Sequence, residues 1–139
     1  MKKEIGRKFL VPLFPSSLSV TGFPHEDIVQ GYLIAEESEE RLRKKGDRYF
    51  KTTKRGQGEI RDESEIEITA EEFEVLWPDT EGKCVEKTRY YIPHNGLIIE
   101  FDVYRGKLGA LLTVEVDFRT KEESEEFVPP EWFGKEVTE

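Results

Sequence analysis

The strongest folding signal lies in residues 85–104, Val85-Glu86-Lys87-Thr88-Arg89-Tyr90-Tyr91-Ile92-Pro93-His94-Asn95-Gly96-Leu97-Ile98-Ile99-Glu100-Phe101-Asp102-Val103-Tyr104. Asn95-Gly96 offers two residues that tolerate positive φ, as a type I′ turn requires, so the flanks predict an antiparallel hairpin with strands at 85–92 and 97–104. Successive side chains of a strand point to opposite faces. Lys87 and Arg89 therefore share one face of the first strand, and Glu100 and Asp102 share a face of the second, alternating with Ile99, Phe101 and Val103.

The alternation continues in both directions. Further strands are predicted at 4–11, 28–35, 40–45, 48–54, 60–68 and 111–118, about eight in all. Glu4 and Lys8 share a face of the first, Arg41 and Arg43 of the third, Glu63, Glu65 and Glu67 of the fifth, and Glu115 and Asp117 of the last. Lys45-Gly46-Asp47 predicts a second tight hairpin. Thr69 with Glu72, and Thr120 with Glu123, are T-x-x-E capping boxes that open two helices. The first carries Phe73, Leu76 and Trp77 and ends at Pro78; the second closes on Phe127 and Val128 before Pro129-Pro130. The fold class expected is β-rich α+β, with an eight-stranded antiparallel closed β-barrel and helices packed outside, since closure removes exposed edges.

The signs of the charges bear on function. Solvent faces usually mix signs to limit repulsion, whereas Arg41/Arg43, Lys87/Arg89, Glu100/Asp102 and Glu115/Asp117 are like-charged pairs two apart. If these faces point inward, cationic and acidic strands confront each other across a lumen that is costly to leave unfilled. A ligand that is both polyanionic and metal-bound answers both walls. Guanidinium and ammonium groups of Arg41, Arg43, Lys87 and Arg89 hold phosphate oxygens while carboxylates hold bridging Mg²⁺ or Mn²⁺, a combination that triphosphate fits.

Composition bounds the rest. At 139 residues, 36% hydrophobic and 37% charged, the chain is expected to form a single domain over residues 1–139. Twenty-one basic and 30 acidic side chains give 21 − 30 = −9, which argues against nucleic acid and anionic membranes as partners. With no apolar run near about 18 residues and no signal-peptide core, a cytoplasmic location is expected. Cys84 is the only cysteine and His25 and His94 are the only histidines, so neither an internal disulfide nor a zinc cluster is expected. Both histidines fall in predicted turns and Cys84 has no adjacent base, so none is expected to act in catalysis. Trp77, Trp132 and Phe133, beside prolines at helix ends, are expected to anchor the helices on the sheet.

Glu4-Ile5-Gly6-Arg7-Lys8-Phe9-Leu10-Val11 resembles the ExExK opening of the CYTH superfamily, the triphosphate tunnel metalloenzymes, and in particular its short bacterial members. Gln30 to Leu33, Arg41-Leu42-Arg43, Thr53-Lys54, Phe73 to Pro78, Glu86 to Tyr90, Glu100 to Val103, Val114 to Phe118 and Pro129 to Gly134 follow in the family's order. The resemblance implies metal-dependent hydrolysis of inorganic triphosphate in an eight-stranded tunnel. It places Lys8, Arg41, Arg43, Lys54, Lys87 and Arg89 on phosphate oxygens. Glu4, Glu115 and Asp117 would serve the metals, with Glu63, Glu65, Glu100 and Asp102 completing the acidic wall, and Glu4, Lys8, Glu115 and Asp117 would carry catalysis. Alternatives are a nucleoside or thiamine triphosphatase, an adenylate cyclase, or a non-catalytic triphosphate- or polyphosphate-binding module. Homodimers are common among relatives. Gly6 stands where ExExK has its second glutamate, which predicts weakened metal affinity and turnover, and many relatives carry a tyrosine- and lysine-containing tail at the tunnel mouth beyond the position of Glu139.

Overall fold

The computed structural model describes residues 2–16 and 19–138. Eight strands run β1 Lys2–Leu10, β2 His25–Leu33, β3 Glu39–Lys45, β4 Arg48–Arg55, β5 Ile60–Ile68, β6 Cys84–His94, β7 Leu97–Arg105 and β8 Leu112–Phe118. They close into a barrel in the order β1-β5-β4-β3-β2-β6-β7-β8, and every neighbouring pair is antiparallel. Both expected tight turns form: Asn95 and Gly96 take φ of 49° and 79° between paired His94 and Leu97, and Gly46 takes 61° between paired Lys45 and Arg48. β2 starts three residues earlier than its sequence suggests, because His25, Glu26 and Asp27 pair with Tyr90, Arg89 and Thr88 of β6. His25 is thus a strand residue and not a turn residue; no local apolar pattern announces a segment held by long-range pairing.

Two helices lie outside the barrel, α1 Ala70–Leu76 and α2 Lys121–Glu126. Thr69 and Glu72 form a complete capping box, and Phe73 is buried against Tyr49 of β4 and stacked on Trp77, each with ring centroids 4.9 Å apart. At α2 the device is split: the Thr120 side chain accepts from the Glu123 N–H, but the Glu123 carboxylate accepts from the Arg119 backbone and guanidinium. The helix stops at Glu126, so Phe127 and Val128 do not extend its apolar face as expected. Pro129 disfavours helical geometry at the preceding residue; Phe127 instead packs on Phe118 at 5.3 Å, and Val128 is exposed.

The apolar core lies on the outer face of the barrel. Phe9, Ile92, Ile99, Phe101, Val114, Val116 and Phe118 project from β1, β6, β7 and β8 and are covered by Phe127, Trp132 and Phe133. Trp132 sits edge-on to Phe101 at 5.6 Å, the anchoring role expected of it. Because that face is filled with hydrocarbon, the alternate residues of the same strands turn into the lumen. After Gly6, whose N–H bonds the Glu59 carbonyl, β1 parts from β5 and the chain end takes over its free edge. Leu10 N–H donates to Lys135, Val137 N–H to Lys8, and Lys8 N–H to the Thr138 hydroxyl. Arg7 fastens this segment from outside with two hydrogen bonds to Glu136, at 3.0 and 2.8 Å.

Candidate active site

Around the ring, the inward residues divide into two arcs. Glu100 and Asp102 of β7, Glu115 and Asp117 of β8, Glu4 of β1, and Glu63 and Glu65 of β5 form a continuous acidic arc. Lys54 of β4, Arg41 and Arg43 of β3, the uncharged Gln30 and Tyr32 of β2, and Lys87 and Arg89 of β6 form the cationic one. Lys8 and Arg61 are cations within the acidic arc. Ten of the side chains so placed, Glu4, Arg41, Arg43, Lys54, Glu63, Glu65, Arg89, Glu100, Glu115 and Asp117, share with Lys45 of β3 a cavity of about 150 Å³, and spaces of about 250 and 240 Å³ adjoin it through shared residues such as Arg41 and Glu115.

Where the arcs meet, opposite charges pair. At β6/β7, Asp102 accepts from Arg89 at 2.8 and 2.9 Å and from Lys87 at 2.7 Å, and Glu100 from Arg89 at 3.3 Å. At β4/β5, the Lys54 ammonium reaches Glu63 at 3.5 Å and, one strand further on at β1, both oxygens of Glu4 at 3.0 Å. Glu65 accepts from the Thr52 hydroxyl at 3.0 Å. At the middle of each arc such compensation is sparse. Arg43 has only the neutral Gln30 oxygen, at 3.0 Å; Arg41 lies 3.7 Å from Glu39 with its Nε buried and unpartnered; Lys8 has no ion-pair partner among the described residues. β3 lies four strands from β8 in either direction, so Arg41 and Arg43 face Glu115 and Asp117 across the lumen.

The electrostatics follow this layout. Burial, reinforced by the charges of Arg41 and Arg89, pushes Arg43 down to about 10. Burial pulls Lys87 down to about 7, with Arg89 and Arg43 adding to it and Asp102 opposing. Opposite them, crowding by protein, together with Glu115, Glu100 and Glu4, pushes Asp117 up to about 8, although the residue is exposed to water. Glu100 is likewise raised, by burial first. Glu4 and Glu63 act as a pair: burial raises both, but their shared hydrogen bond, with Lys54 and Arg61 beside Glu4, drives Glu4 below the ordinary carboxylate range and Glu63 above it.

Glu4, Glu115 and Asp117 bring carboxylate oxygens within 4.8 Å of one another. Such crowding is repulsive without a cation, and an all-oxygen donor set suits a hard divalent ion. The residue that departs from ExExK lies directly beside them: a Cβ on Gly6 would stand 2.8 Å from an Asp117 oxygen. Of the other acids named from sequence, Asp102, Glu63 and Glu100 are drawn toward cations and Glu65 toward Thr52. Sequence reasoning passed over Gln30, Tyr32 and Tyr104, since it followed charges and these inward residues have none. Arg61 was within its reach, two residues before Glu63 on the same face. His25, His94 and Cys84 stay outside the lumen: His25 lies against Tyr90, His94 against Phe127, and the Cys84 thiol donates to the Thr80 carbonyl.

A closed antiparallel barrel with opposed guanidinium and carboxylate walls defines a triphosphate-binding tunnel of the CYTH type. No protein-family model matches the chain. It is 46% identical to an inorganic triphosphatase of Nitrosomonas europaea, over 98% of this chain and 89% of that protein. It is 31% identical to an inorganic triphosphatase of Acetivibrio thermocellus, over 99% and 87%. The crystal structure of an inorganic triphosphatase superposes with a TM-score of 0.68 at 44% identity, covering all of this chain and 89% of the other. The chain belongs to the inorganic triphosphatases of the CYTH family.

Proposed function

We propose that this chain hydrolyses inorganic triphosphate to diphosphate and phosphate inside its tunnel, with Mg²⁺ or Mn²⁺ as cofactor. The observation that carries this reading is the pair of sparsely compensated mid-arc clusters, Arg41 and Arg43 facing Glu115 and Asp117. A metal-bound polyanion answers both at once.

In this reading Lys8, Arg41 and Arg43 take the phosphate oxygens, and Lys87 and Arg89, held by Asp102, complete the cationic wall. Glu4, Glu115 and Asp117 hold the cation, and Lys54 grips both oxygens of Glu4 so that its carboxylate faces the other two. A bound divalent ion supplies charge neutralisation at the triphosphate and acidifies a coordinated water. The nucleophile is water, attacking the terminal phosphorus in line with the departing diphosphate; no histidine or cysteine is needed. Glu63, Glu65 and Glu100 set the field that keeps this wall negative. Residues 1–139 act as one tunnel unit in the cytoplasm; among the described residues no helix is long and apolar enough to cross a membrane.

Phosphate release from inorganic triphosphate, measured with and without Mg²⁺ or Mn²⁺ beside calorimetric binding, tests the proposal. Metal-stimulated release is expected; tight binding without release would make the tunnel a binding module. A second reading has its own support, because Tyr32, Val85, Tyr104, Leu108 and Leu111 line the 240 Å³ space next to Lys8 and Arg41. That wall suits the organic group of a nucleoside triphosphate, and faster release from ATP than from inorganic triphosphate would favour it.

A further inference from the structure

Gly6 is the cross-strand partner of Asp117, and on the inward face of β1 it stands between Glu4 and Lys8. Its φ is not in the left-handed region, so the backbone does not require glycine there. What a side chain there would change is the space open to Asp117. A Cβ built on Gly6 would lie 2.8 Å from Asp117 Oδ1, while Glu115 Oε1 and the Val116 carbonyl, at 3.5 and 3.6 Å, would be in ordinary contact. A Cβ at position 6 therefore displaces one group only, the Asp117 carboxylate. That carboxylate now lies over the bare glycine backbone, with its oxygen within 4.8 Å of Glu4 and Glu115.

We propose that Gly6 is a positioning residue for the metal centre: by leaving the cross-strand space empty it lets Asp117 turn onto β1 and stand as the third carboxylate beside Glu4 and Glu115. The inference rests on the metal-dependent reading above and alters what Gly6 means. From sequence Gly6 is a missing ligand; in the folded tunnel the vacancy is taken up by a carboxylate from the next strand. Three carboxylates are thereby offered to the cation, one from β1 and two from β8, so the metal set leans toward β8. A methyl group at position 6, which neither adds nor removes charge, should therefore weaken metal binding by forcing the Asp117 carboxylate out of its present place beside Glu4 and Glu115.

Mn²⁺ binding to the full chain, read by loss of the free-ion electron paramagnetic resonance signal, tests this without relying on turnover. Gly6→Ala is expected to raise the Mn²⁺ dissociation constant about 10-fold or more, comparable to the loss from Asp117→Asn, and the double variant should lose no more than either alone. Gly6→Glu in the Asp117→Asn background is expected to restore binding, since it returns one carboxylate to the same space. Melting curves of each variant establish that it is folded, and the rescue pair keeps the test decisive if Gly6→Ala alone is unstable. Gly6→Ala within twofold of wild type, multiplicative losses in the double variant, or absence of rescue would overturn the proposal. If the unmodified chain binds no Mn²⁺ and releases no phosphate, the functional reading itself fails. Binding in the unmodified chain that Gly6→Ala leaves intact removes only the role of Gly6.

Discussion

Lys87 gives the most quantitative prediction. Its side chain is 4% exposed, and burial with Arg89 and Arg43 nearby holds its pKa at about 7 against the ordinary 10.5, even with Asp102 at 2.7 Å. A polyanion in the tunnel reverses that balance, so triphosphate should bind with uptake of a proton. At pH 8 the free ammonium is about nine-tenths deprotonated, and full restoration of its charge corresponds to about 0.9 proton taken up per triphosphate bound. Above pH 7 the affinity should fall by up to about tenfold, or about 1.4 kcal/mol, per pH unit. Stability moves the other way: between pH 7 and 10.5 the unfolded chain carries the proton that the folded chain has shed. The cost of burying Lys87 therefore shrinks as pH rises through that window. Metal-free calorimetry in buffers of differing ionisation enthalpy measures the uptake directly, and Lys87→Met subtracts the titration of triphosphate and of the remaining side chains. Equal proton uptake and equal pH slope in Lys87→Met and wild type would refute the reasoning.

Arg43→Met should weaken triphosphate binding about 10–100-fold by calorimetry, from the loss of charge-assisted hydrogen bonds, while leaving the melting temperature equal or higher. The sign of the second effect follows because Arg43 has a neutral partner and two cationic neighbours. Asp102→Asn should do the reverse, losing about 3–5 kcal/mol in urea unfolding by stranding buried Arg89 and Lys87. Phe101→Ala, wholly buried on the outer face, should cost about 3–5 kcal/mol in the same assay and leave the triphosphate dissociation constant within about twofold. Cys84→Ser and His94→Ala should leave the rate of phosphate release unchanged, since both side chains lie outside the lumen.

The fold is legible in this chain because its two periodicities agree. Glu100 and Asp102 alternate with Ile99, Phe101 and Val103 in steps of two, and the barrel buries one set in hydrocarbon and turns the other into the lumen. The turns were equally plain, since Asn95-Gly96 has few other uses. What sequence could not show is who pairs with whom. Asp102, Glu115 and Asp117 look alike as inward acids, yet Asp102 faces Arg89 in register on the adjacent strand while Asp117 faces Gly6. That difference is a matter of strand order, and strand order depends on closure between residues more than fifty positions apart. The start of β2 was missed for the same reason, and the end of α2 because a capping box announces where a helix begins and not where it stops.

Strand order also separates charges that hold the tunnel together from charges that hold its substrate. Where a cationic strand adjoins an acidic one, at β4/β5 and β6/β7, ion pairs such as Lys54–Glu63 and Arg89–Asp102 form within the protein and offset the cost of burial. Arg41 and Arg43 of β3 have Gln30, Tyr32, Phe50 and Thr52 as ladder partners, and on β8 Asp117 faces Gly6, so apart from Glu115 opposite Lys8 these charges have no oppositely charged ladder partner. A charge that the fold itself could neutralise would gain little from a ligand. The mid-arc groups, which it neutralises least, gain most, and they line one cavity in which a polyanion with its cation answers both. Exchanging the places of a paired and an unpaired strand would leave the composition, the alternation and the lumen's net charge as they are, and would remove the site.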